Sequence, residues 1–239
     1  MRLFSSAELP YYAFMIDIAA SLAHLTARIN AAAVVAGRDP GSVQLIAVSK
    51  TKSQTDVEAA LAAGQRAFGE NRVQEAKQKF APLKAAWPDL VLHLIGPLQT
   101  NKAEEAVQLF DVIETVDRPR IASALSAALR KTGRRPQFYI EVNTGGEPQK
   151  AGVAPGAFGE FLAFCRGDCG LTITGVMGLP PQHEDPSPHF RQLYELAQGH
   201  NLPHVSMGMS GDFEAAIACG ATDIRLGTAL FGPRIKAVS

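Results

Sequence analysis

Residues 43–50 read V-Q-L-I-A-V-S-K, and their pairing with the helical pattern at residues 55–64 decides the fold. The stretch is a short apolar run of strand length that ends on a lysine. Just beyond it Thr55 and Glu58 make a capping-box pair ahead of Val57, Ala60 and Leu61, and Gly64 supplies a stop. This strand-then-helix unit recurs outward along the chain. Candidate strands fall at Val43–Val48, Arg66–Gly69, Val91–Ile95, Asp111–Val116, Gln137–Val142, Leu171–Val176, Pro203–Ser206 and Asp223–Leu226, starting about 20 to 35 residues apart. Pro119 opens an Ala/Leu-rich helix ending near Gly133, and a further helix, about Ile16 to Val35, stops at Gly37 ahead of the first strand. Alternating strands and helices make a parallel sheet, because each return crossover needs a helix. Eight such units close a (β/α)8 TIM barrel. A doubly wound open sheet is the alternative, but no G-x-G-x-x-G turn follows the first strand. The expected fold is α/β, a single (β/α)8 barrel with an extra N-terminal helix.

Composition agrees with one compact domain. The chain has 239 residues, 46% of them apolar and 19% charged, enough to build a sizeable core. Its 23 basic residues balance 23 acidic ones, giving no electrostatic reason to expect nucleic acid or an anionic membrane as a partner. No uninterrupted apolar run reaches the ~18 residues of a membrane span. The first residues, MRLFSSAELPYYAF, do not read as a secretory signal. Three cysteines in scattered spacing make neither a disulfide framework nor a zinc site. A soluble, cytoplasmic protein is expected, with a monomer as the default.

In a barrel the chemistry sits where strands end and the loops to the following helices begin. Lys50 stands at the edge of the first strand and shares its alternating face with Ile46 and Val48, toward the barrel mouth. An ammonium among apolar walls is pushed toward the neutral amine, which can attack a carbonyl. The plainer alternative is a lysine snorkelling to water, and Lys52 reads as one. Asn71 and Thr100 follow the second and third strands, where an amide or hydroxyl could orient a ligand; taken alone, both read as helix caps. After the seventh strand come Ser206-Met207-Gly208-Met209-Ser210, and after the eighth Gly227-Thr228. Hydroxyls and bare N–H groups there suit a phosphate. Arg225 is a cation inside a strand, and its bland reading is an ion pair with a barrel acid such as Glu141. An amine and a phosphate cup in one mouth suggest a Schiff base with a phosphorylated aldehyde.

Seven segments, in order, resemble the YggS/PROSC family of pyridoxal phosphate homeostasis proteins, itself similar to the N-terminal barrel of alanine racemases. They are A-V-S-K-T-K around Lys50, F-G-E-N-R-V-Q-E at 68–75, H-L-I-G-P-L-Q-T-N-K at 93–102, V-N-T-G-G-E-P-Q-K-A-G at 142–152, G-V-M-G-L-P at 175–180, S-M-G-M-S at 206–210 and R-L-G-T-A-L-F-G at 225–232. The resemblance implies that Lys50 carries pyridoxal 5'-phosphate (PLP) as a Schiff base. It implies that Ser206, Ser210, Gly227 and Thr228 hold the phosphate, that Arg225 faces the pyridine nitrogen and that Asn71 lies beside the ring. It also implies a protein governing PLP supply, with apo-PLP enzymes as recipients, and without efficient catalysis. Racemases built on this barrel take a second base, a tyrosine, from an extra domain, whereas Tyr11, Tyr12, Tyr139 and Tyr194 lie outside the mouth segments. Weak PLP-dependent racemisation is the alternative function. Residues 1–14 match nothing in the family and are expected to be a disordered extension before a PLP-binding barrel of residues 15–239.

Overall fold

The computed structural model describes residues 16–233; the expected N-terminal extension therefore lies outside the described residues. Eight strands, β1 (Gln44–Val48), β2 (Ala67–Glu70), β3 (Val91–Leu94), β4 (Val112–Val116), β5 (Gln137–Val142), β6 (Ile173–Gly178), β7 (His204–Ser206) and β8 (Asp223–Leu226), form a closed barrel in chain order. Every pairing is parallel, including the β1–β8 closure, so the barrel reading holds and the open sheet does not. The helices are α1 (Ile18–Val35) ahead of β1, then α2 (Gln54–Ala62), α3 (Val73–Ala86), α4 (Ala103–Leu109), α5 (Pro119–Thr132), α6 (Phe158–Gly167), α7 (Pro186–Gly199) and α8 (Phe213–Ala218) between successive strands, and α9 (Thr228–Phe231) after β8.

Alternation along the strands sorts side chains into two layers. Leu45, Ala47, Phe68, Leu92, Leu94, Ile113, Phe138, Ile140, Val205, Ile224 and Leu226 join the large cluster under the helices. The intervening residues face inward, where Val112, Tyr139 and Met177 form a small separate cluster with Val91. Much of that inner layer is polar: His93, Glu114, Ser206, Asp223 and Arg225 are all buried there. Side chains fill the barrel, but its filling is a polar network rather than stacked aliphatic layers.

Three local expectations are corrected. The capping box belongs to Ser53 and Asp56, with both reciprocal bonds made, and Thr55 is already inside α2. β6 starts at Ile173, because the Leu171 N–H is committed to the Cys165 carbonyl closing α6. Finally, α1 does have the length and composition of a membrane span, with mean hydropathy 1.4 over 18 residues. Its stripe of Ile18, Leu22, Leu25, Ile29 and Ala33 is buried against the barrel, and Arg28 pairs with Glu214 of α8.

Candidate functional site

The C-terminal mouth of the barrel begins where β1 stops. Residues 49–52 form a turn closed by the Lys52 N–H donating to the Ser49 carbonyl at 3.0 Å, with Thr51 in the left-handed region (φ 63). Lys50 occupies this turn, half-buried, on the inward parity of Ile46 and Val48. Lys52 is not a solvent-directed lysine: its Nζ donates to the carbonyls of Phe231 (2.7 Å), Gly232 (3.1 Å) and Pro233 (3.3 Å), closing the end of α9.

Val48 pairs with Gly69, so Lys50 and Asn71 each stand two residues past paired positions on adjacent strands. Asn71 does not cap α3; Arg72 holds the N-cap position and gives no side-chain cap bond. Nor does Thr100 cap, since it opens a short 3-10 turn behind Gln99. What fixes Asn71 is Gly96, where a Cβ would lie 2.4 Å from the Asn71 carbonyl oxygen. The Asn71 Oδ1 is buried without a hydrogen-bond partner, beside a groove of about 550 Å3 lined by Arg72, Pro97, Gln99 and Lys102.

Across the mouth the loops after β7 and β8 meet. The Ala229 N–H lies 3.4 Å from Ser210 Oγ, and the Met209 N–H donates to Asp212 Oδ1 at 2.6 Å. Gly227 sits against the end of β1: a Cβ there would come within 3.2 Å of the Val48 carbonyl oxygen. Thr228 is exposed beside it. Ser210, Gly227, Thr228 and the Lys50 turn are thus brought together at one rim. Ser206 is not on that rim. It is fully buried lower in the barrel, donating to Glu114 Oε2 at 2.6 Å and accepting from Arg225 at 2.7 Å.

Arg225 forms the floor, 5% exposed, with its second terminal nitrogen donating to the Gly178 carbonyl at 3.0 Å. The plainer alternative for Arg225, an ion pair with Glu141, gives way to these neutral acceptors, and Glu114 and Glu141 act on the guanidinium through charge at longer range. Burial lowers the Arg225 pKa from its ordinary value. Burial raises Glu141 to about 7, with the Asp117 carboxylate adding to the effect. Behind Glu114 stands His93, Nδ1 to Oε1 at 2.7 Å, with its Nε2 buried and unpartnered. His204 lies 3.5 Å from Asp223, which raises its pKa, and stacks on Tyr139. Sequence reasoning missed His93, Glu114, His204 and Asp223, although each is a polar residue on the inward parity of its strand. The donor set of a lysine and a hydroxyl-bearing rim without a Cβ at Gly227 fits a small phosphorylated carbonyl compound, with the Arg225 guanidinium as the floor beneath it.

Residues 20–234 match the family model of the alanine racemase N-terminal domain. A relative from Vibrio cholerae, named pyridoxal phosphate homeostasis protein, is 42% identical over 231 residues, covering 92% of this chain and 98% of its own. PipY of Synechococcus elongatus, solved with PLP bound, superposes with TM-score 0.78 at 39% identity, covering 90% of this chain and all of that one. An alanine racemase from Corynebacterium glutamicum (TM-score 0.63, 20% identity, 92% of this chain and 62% of the racemase) shares the fold.

Proposed function

Because this chain belongs to the pyridoxal phosphate homeostasis proteins, a family built on the alanine racemase N-terminal barrel, we propose that it binds PLP through Lys50 and serves PLP homeostasis. When bound, PLP supplies an aldehyde that a lysine amine can hold as an imine, and a pyridine ring able to accept electrons. The observation that carries the reading is Gly227 packed on Val48, which makes the lysine turn and the hydroxyl rim one site.

In this reading Ser210, Thr228 and the backbone at Gly227 hold the phosphate. Asn71, fixed by Gly96, lies beside the ring, and its unpartnered Oδ1 is an acceptor still to be satisfied. Arg225 faces the ring nitrogen. Ser206 holds Arg225 in place rather than reaching the phosphate, because its hydroxyl is taken by Glu114 and Arg225. A guanidinium has no proton to give readily, so it does not keep a pyridine nitrogen protonated as a carboxylate does. That favours storage and delivery over carbanion chemistry. A second base across the ring is also not supplied by Tyr139, which is stacked on His204 inside the barrel, nor by Tyr194, packed beside Gly220. We therefore infer a carrier, not an efficient enzyme, acting as a monomer in the cytoplasm with apo-PLP enzymes as recipients.

The test is α-hydrogen exchange of L-amino acids in deuterated water by the PLP-loaded protein. Negligible exchange, with PLP passing to an apo-enzyme, is expected. Exchange at enzymatic rates that disappears in Lys50→Ala would replace the carrier with a racemase-like catalyst.

A further inference from the structure

A buried charge cluster lies on the outer side of the Lys50 turn, in the F-G-E-N-R-V-Q-E segment. Glu70 ends β2 on the parity of Phe68, facing α3 rather than the barrel interior, and is fully buried. Lys79 of α3, 7% exposed, donates to Glu70 Oε1 at 2.7 Å and to the Ser49 carbonyl at 2.8 Å, and reaches Glu75 Oε1 at 3.4 Å. Ser49 Oγ donates to the same Glu70 oxygen at 2.8 Å. Glu75 Oε1 in turn accepts from the Thr51 N–H at 2.6 Å. The two residues flanking Lys50 are therefore held by one cluster, Ser49 through its carbonyl and Thr51 through its N–H.

Two physical points give the cluster a purpose beyond packing. A left-handed β-branched residue costs roughly 1–3 kcal/mol and persists only where its surroundings over-determine it. Thr51 is such a residue. An apolar pair of similar volume would also stabilise the β2–α3 contact about as well as a buried ion pair, whose desolvation offsets its attraction. Burial raises the Glu70 pKa even with Lys79 beside it, which is the mark of that cost.

We propose that Glu70, Lys79 and Glu75 are positioning residues that clamp the Ser49–Lys52 turn and so present the Lys50 amine to the barrel mouth. The proposal rests on Lys50 being the lysine that meets PLP. Its first test needs no PLP: reductive methylation of the cofactor-free protein with formaldehyde and cyanoborohydride, read as the rate at Lys50 by peptide mapping. Glu75 is suited to substitution because its side chain is 31% exposed, so the fold tolerates the change. Glu75→Ala should change the Lys50 labelling rate, and slow PLP adduct formation at Lys50 roughly tenfold, as displaced reacting groups do. Glu75→Gln, which keeps an acceptor for the Thr51 N–H, should restore both. Glu70→Leu with Lys79→Met, which removes the buried pair together, should reproduce the Glu75→Ala defect with little change in melting temperature, whereas Lys79→Met alone strands the buried Glu70 carboxylate and should lower it. Unaltered Lys50 rates in Glu75→Ala, or a defect that Glu75→Gln fails to restore, would overturn the clamp. An adduct mapping to a different lysine in the unsubstituted protein would sink the PLP reading instead, while the formaldehyde rates would still judge the clamp.

Discussion

Glu141 is a side chain whose titration the barrel interior moves into the neutral range. Burial and the Asp117 carboxylate raise it from 4.5 to about 7, and the attractions of Arg225 and Arg118 offset this only in part. Its native pKa lies above the unfolded one, so the stability it contributes is complete below the unfolded value and lost as pH rises through about 7. Glu141→Gln should therefore gain stability over the parent protein between about pH 5 and about pH 8, by about 1–3 kcal/mol, measured as paired denaturant midpoints. A difference that stays constant across that range would contradict the assignment. Thr51 offers a second measurement. Thr51→Gly removes the left-handed penalty and should stabilise by about 1 kcal/mol in thermal unfolding. Among residues, Lys50 and Arg225 were legible because each charge interrupts an apolar strand or its edge. His93 and Glu114 were not. Strands buried on both faces read as nearly continuous apolar runs, and a single polar residue within one does not announce which way it points.

The elements follow local rules whose competitors are visible in the sequence. Both Ser53-x-x-Asp56 and Thr55-x-x-Glu58 satisfy the capping-box pattern, and the turn at residues 49–52 decides between them by delivering the chain to the helix at Ser53. Ser53→Ala should cost about 1 kcal/mol in chemical denaturation, whereas Thr55→Ala, within the first turn of α2, should cost nearly nothing. At Asn71 the cap expected from residue type is overruled by tertiary contact. Gly96 lets the β3–α4 connection pass against the Asn71 backbone. Gly96→Ala should push the two apart, destabilising by about 2 kcal/mol and weakening PLP retention together. Retention left intact in that variant would remove Asn71 from the ring's surroundings. Strand positions were readable to within two residues because Gly and Pro punctuate nearly every connection.

At the scale of the molecule, counting eight strand–helix units was enough to close the barrel, since parallel strands with helical crossovers leave few other arrangements. What counting could not give was the content of the barrel. The interior joins His93, Glu114, Ser206 and Arg225 into one hydrogen-bonded line ending at the Gly178 carbonyl, a product of register between strands distant in the chain. Arg38 similarly ties the segment after α1 to the carbonyls of Ile217 and Ala221, so the first helix is bound to the last units of the barrel. Ligand linkage makes the whole fold report on its site: PLP at about 100 times its dissociation constant should add about 2.7 kcal/mol of stability. The most direct measurement of the central claim is borohydride reduction of the PLP-treated, desalted protein, with the modified peptides then mapped. A single phosphopyridoxyl group on Lys50, absent from Lys50→Ala, is the predicted result. A protein that carries no such group, or carries it on lysines scattered over the surface, would contradict it.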